Sequence, residues 1–147
     1  MLLQELYKKL EEKKEQMIEN RRWLHAHPEL SYEEKETSEF IAKFYEGKDA
    51  EVETGVGGTG IKVTIDSGNP GKTVAIRADF DALSITEETG LDYASQNKGI
   101  MHACGHDAHT AYMMALADSL IELKDRLKGK VVVIHQLGEE VPPGGAS

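Results

Sequence analysis

Ten consecutive residues, Met101-His102-Ala103-Cys104-Gly105-His106-Asp107-Ala108-His109-Thr110, hold the only cysteine of the chain and three of its six histidines. A thiolate, imidazoles and a carboxylate at this density suit a divalent ion of the zinc type, and Cys104 and His106 are the candidate ligands. A buried structural cysteine beside helix-capping groups is the plainer alternative. Apolar residues continue from Ala111 to Leu127 at helical spacing, so the cluster is expected to enter a helix at its N-terminus. The dipole and free N–H groups there would favour a thiolate over a thiol. Two acidic pairs stand apart from this stretch, Asp79-Phe80-Asp81 and Glu139-Glu140. Each has an ordinary reading, as turn caps or solvated acids. Each is also costly to bury unless a cation or hydrogen-bond donors compensate.

The elements that must position these groups are a strand at 73–78, a helix at about 107–127 and a strand at 131–136. Together they predict one βαβ unit with parallel strands and a right-handed crossover. The C-terminal ends of both strands and the N-terminus of the helix then share one sheet edge, where open α/β sheets build their sites. Asp79, Asp81, Cys104, His106, Glu139 and Glu140 are predicted to meet there. Zn²⁺ fits this donor set, with Mn²⁺, Co²⁺ or Ni²⁺ also suited. Adjacent glutamates in extended chain point opposite ways, so one can bind an ion while the other stays free as a base. A metal that lowers the pKa of water, beside a free glutamate that takes the proton, is suited to cleaving amides.

The rest of the chain frames that unit. Residues 2–26 read as one amphipathic helix, with Leu3, Leu6, Leu10, Met17, Ile18 and Leu24 as its apolar stripe, ended by Pro28. His25 and His27 do not share a helix face and are expected to be hydrogen-bonded structural residues. Ser31 with Glu34 predicts a capping box opening a helix to about Tyr45, with Phe40, Ile41 and Phe44 inward. The glycines of 55–60 precede a strand and lack the Lys-Ser/Thr pair of a nucleotide cradle, so they predict only a bend into strand 61–65. That strand and 73–78 are expected to pair antiparallel. Residues 84–100 read as a polar loop, Lys128 and Gly129 as the close of the long helix, and 131–136 as a strand buried on both faces.

At 147 residues the chain can build one domain core, and its formal charge of −9 argues against nucleic acid and anionic membranes as partners. One cysteine forms no internal disulfide. The N-terminus becomes charged too soon for a signal peptide, and no run approaches the length of a membrane span, so a soluble cytoplasmic protein is expected.

Several stretches together resemble the aminoacylase/carboxypeptidase family of two-metal peptidases, most closely its amidohydrolase branch. They are Arg77-Ala78-Asp79-Phe80-Asp81-Ala82-Leu83, His102 to Thr110, Glu139-Glu140 with Gly144-Gly145-Ala146, and His25-Ala26-His27-Pro28-Glu29-Leu30-Ser31. The branch includes bacterial aminoacylases, hippurate hydrolases and N-acetyl-diaminopimelate deacetylases. The resemblance implies that Cys104 bridges two divalent ions, His106 and Glu140 bind metal, Glu139 is the general base and Asp81 supports the site. His109 and His135 would then be supporting rather than ligating residues. It implies Zn²⁺ or Mn²⁺ as cofactor and small N-acyl amino acids or peptides as substrates. Leu137-Gly138 stands where Pro-Ala is more usual. Family chains are much longer and carry further histidine ligands and a lid domain. Residues 1–147 therefore read as the N-terminal half of an α/β catalytic domain: a mixed sheet, one βαβ unit and flanking helices, without the lid. Three retained ligands could hold one ion, or none. The rival expectation is a catalytically silent fragment that binds metal or self-associates as a homo-oligomer through uncovered sheet.

Overall fold

The computed structural model describes residues 1–147. Its elements are α1 (Leu2–Glu12), α2 (Lys14–Ala26), α3 (Lys35–Tyr45), β1 (Glu51–Val56), β2 (Gly60–Asp66), β3 (Thr73–Asp79), α4 (His106–Glu122) and β4 (Lys130–Gln136). A 3₁₀ turn over Lys124–Arg126 separates α4 from β4. The four strands form one mixed sheet in the order β1-β2-β4-β3. No helix is long and apolar enough to cross a membrane.

The βαβ unit forms as the apolar pattern predicts. β3 and β4 pair parallel in register from Thr73↔Lys130 to Asp79↔Gln136, with α4 as the crossover. Four expectations are corrected. The strand at 60–66 does not pair with 73–79; β4 lies between them and pairs antiparallel with β2. An inner position gives β4, four of whose seven residues are β-branched, two ladders instead of one. The glycine-rich stretch is the turn of a β1–β2 hairpin, whose first strand, with one branched apolar residue at each end of Val52–Val56, gave little sequence signal. Residues 2–26 break at Lys13 into two helices, and Lys13 turns its ammonium to Asp118 and Glu122 of α4. The sheet is covered on one face only. Ile61, Val63, Ile65, Ala78 and Val133 face α3 and α4, while Ile134, on the other face of β4, is 37% exposed. Strand 131–136 is thus not buried on both sides.

The core joins Ile41 and Tyr45 of α3, Met113, Met114, Ala117 and Ile121 of α4, and those strand residues. Each fully buried large aliphatic contributes roughly 1.5–3 kcal/mol, enough to fix α4 rigidly on the sheet. Rigid placement of α4 is what aims its first turn at the strand ends.

Candidate metal centre

α4 begins at His106, directly after Gly105, whose φ of +129° suits a residue without Cβ. β3 ends at Asp79 and β4 at Gln136, so the three element ends meet as the topology predicts. His106 is the hub. Its Nδ1 donates to the Asp81 carbonyl oxygen at 2.9 Å, with Asp81 Oδ1 at 3.1 Å. A carbonyl only accepts, so Nδ1 carries the proton and Nε2 is the free ligand atom. Around Nε2 stand Asp79 Oδ1 at 3.4 Å, Glu139 Oε2 at 3.6 Å and Glu140 Oε1 at 3.6 Å. The ligand atoms of Cys104, His106 and Glu140 all lie within 4.8 Å of one another.

Two of these groups show the strain of gathered negative charge. Desolvation and then the Glu140 and Asp79 carboxylates raise the Cys104 thiol above its ordinary pKa. The lowering expected from the helix terminus is not seen; desolvation and the carboxylates raise the thiol instead. Burial works to lower the His106 pKa, but the Asp81 hydrogen bond and the Asp79 charge outweigh it and raise it to about 9. Asp81 is opposed by burial too, yet hydrogen bonds from His106, the Glu140 N–H and Ser31 hold it well below the carboxylate range.

The donor set passes a test of fit for a divalent ion. Glu140 Oε1 is buried and has no hydrogen-bond partner. A carboxylate oxygen without a hydrogen bond, a thiol and an imidazole nitrogen that can give up its proton to a metal make a donor set suited to a cation.

A second group, Asp79, His106 and His109, has its ligand atoms equally close. It does not make a separate centre. It needs the same His106 Nε2, and Asp79 is already matched by His109 Nδ1 at 2.8 Å and the Arg77 guanidinium at 3.3 Å. His25 and His27 are structural, as expected: His25 bridges Asp107 at 2.8 Å and Glu87 at 2.9 Å, and His27 Nδ1 donates to the Trp23 carbonyl. His135 lies in the core against the Tyr45 hydroxyl. Ser31 does not cap α3. Its hydroxyl donates to Asp81 Oδ2 at 2.7 Å, which places the His25–Ser31 stretch at the centre. Only the resemblance of that stretch to a family motif hinted at this.

Residues 75–147 match peptidase family M20/M25/M40. The mixed sheet and the βαβ crossover are those of peptidase catalytic domains of this kind, and the chain belongs to this family. A chain from methicillin-resistant Staphylococcus aureus, solved as a candidate aminohydrolase, is 71% identical with a TM-score of 0.95, over 97% of this chain and 37% of that one. A Bacillus subtilis dinuclear metal-binding peptidase of the M20 family is 43% identical with a TM-score of 0.83, over 88% of this chain and 36% of its own. The N-acyl-L-amino acid amidohydrolase of Geobacillus stearothermophilus is 40% identical over 99% of this chain and 40% of its own length. The chain thus spans about two-fifths of the length of such relatives.

Proposed function

We propose that residues 1–147 supply the N-terminal part of a metal-dependent hydrolase that cleaves amide bonds in N-acyl amino acids or small peptides. The observation that carries this reading is the orphaned Glu140 oxygen between Cys104 and His106. The amidohydrolase and peptidase names of the relatives support the substrate class. Cys104, His106 and Glu140 would hold the ion, with Zn²⁺ or Mn²⁺ suited to the donor set. An ion held there would supply Lewis acidity, polarising a scissile carbonyl and lowering the pKa of nearby water.

The chain's own residues do the rest. Asp81 fixes the His106 tautomer, so that Nε2 and not Nδ1 faces the centre. Glu139 keeps a 40% exposed side chain 3.6 Å from His106 Nε2. It is therefore free to take a proton from water and return it to the leaving amine. The rival expectation of a silent fragment is not favoured by the hydrolase and peptidase names of the relatives.

The test compares the wild type with Glu139→Gln on N-acetyl amino acids, with bound metal measured by elemental analysis. Hydrolysis should fall at least ~100-fold while the metal content holds. Undiminished turnover in the variant would remove Glu139 as the base. Wild-type protein without affinity for divalent ions would overturn the reading itself.

A further inference from the structure

The corner between α2 and α3 is tied to the loop that carries the two glutamates, and nothing in the mechanism above uses most of these ties. Glu34 is fully buried, and both of its oxygens are engaged. Oε1 accepts the Gly138 N–H at 2.8 Å, and Oε2 accepts the Thr59 hydroxyl at 3.1 Å. The Tyr32 hydroxyl donates to the Val141 carbonyl and accepts the Gly144 N–H, each at 3.0 Å. Ser31 shares Asp81 Oδ2 with the Glu140 N–H, at 2.7 and 2.9 Å. The bonds fall at 138, 140, 141 and 144, so they bracket Glu139 and Glu140 on both sides.

Two backbone features show that this docking is held under constraint. Tyr32 has φ +68°, the only non-glycine residue with positive φ. A tyrosine keeps that conformation only where its surroundings hold it, and such residues gather at functional sites. Gly138, at φ +59°, leaves no space: a Cβ there would stand 2.7 Å from the Tyr32 ring. A carboxylate buried at 0% exposure is likewise a costly way to hold a turn, unless its placement matters.

We propose that Ser31, Tyr32 and Glu34 are positioning residues. They form a clamp that fixes residues 138–144, so that Glu140 is delivered to Cys104 and His106. This rests on the reading of Glu140 as a ligand, but the clamp itself is testable without metal.

The experiment compares the wild-type chain with Tyr32→Phe, Glu34→Gln, Ser31→Ala and Ser31→Thr. Tyr32→Phe removes only the hydroxyl and leaves the ring against Gly138. Amide exchange is read at Gly138, Glu140 and Gly144 and, as an internal control, along β4. Cobalt affinity is read from the thiolate absorption band. The clamp predicts that Tyr32→Phe, Glu34→Gln and Ser31→Ala each speed exchange of the nearest loop amide about tenfold or more, well beyond any change along β4. Cobalt affinity should fall about tenfold or more, the cost usual for groups that orient ligands, and Ser31→Thr should restore it. Unchanged loop exchange overturns the proposal, and so does equal acceleration of loop and β4, which would mark a general structural role. If the wild type binds no cobalt, the metal reading fails, and the exchange data alone decide the clamp.

Discussion

His106 has two nitrogens and two duties, and Asp81 decides which nitrogen does which. In the metal-free chain its pKa is raised to about 9 and that of Cys104 is raised as well, so at neutral pH an ion must displace a proton from each. Apparent affinity should therefore climb by up to about 100-fold per pH unit between pH 6 and 8 and ease to about tenfold per unit above pH 9, where only the thiol still holds its proton. Cobalt titrations in matched buffers check this, and a flat profile would contradict the protonated starting state. Buried histidines act in the opposite sense on stability. Burial lowers His135 to about 3 and His102 to about 4, so both stay neutral in the fold down to pH values at which the unfolded chain has bound protons. Stability is then lost as pH falls below about 6.5, by up to about 1.4 kcal/mol per pH unit for each histidine. His106 adds nothing to that slope below 6.5, being protonated in both states. The depressed carboxylates Asp81 and Asp118 enter only below about pH 4. Urea midpoints at pH 7, 6 and 5 should thus fall in step with the histidines. Residue types and spacing were enough to single out Cys104, His106, Glu139 and Glu140. The thiol's raised pKa was not readable, because it depends on carboxylates brought in from β3 and the 138–140 loop.

At the scale of elements, the turn over 66–72 and the entry to β4 are packed backbone to backbone. Gly129 has φ +73°, and a Cβ there would lie 2.0 Å from the Lys72 carbonyl oxygen, while its N–H donates to Asn69. Gly129→Ala should destabilise the chain by about 2–4 kcal/mol in urea unfolding, without altering the metal ligands. The sequence points to Gly129 as the end of the long helix. The helix in fact stops at Glu122, and the glycine instead admits β4 to the sheet. Ser31 and Glu34 teach the same lesson. Their spacing satisfies a capping box, but both side chains find tertiary partners, Asp81 and the Gly138 N–H, which local spacing does not reveal. Periodicity found α4, β2 and β4 because their apolar faces are buried, whereas β3 is exposed along most of its length and is legible from its apolar composition. Periodicity missed β1, which is exposed along most of its length.

The whole molecule is a sheet with helices on one side only, and the open side shows mixed chemistry. On β4 Ile134 lies in register with Lys62 of β2 and Arg77 of β3. Ile134→Glu would place a carboxylate between two cations, at the cost of the apolar burial of a side chain that is 37% exposed. Unfolding free energy should fall by about 1 kcal/mol. Any concentration-dependent association seen by sedimentation in the wild type should weaken. Association that persists in the variant would locate the contact elsewhere. Strand order also governs the chain's history. The hairpin of β1 and β2 can form as soon as both leave the ribosome, but β3 has only β4 as a neighbour. More than fifty residues, including all of α4, separate the end of β3 from the end of β4. At about 5–20 residues per second, β3 waits several seconds of synthesis with no strand beside it. The central strand arrives last, and until it does the nascent chain has neither a finished sheet nor a place for Glu140.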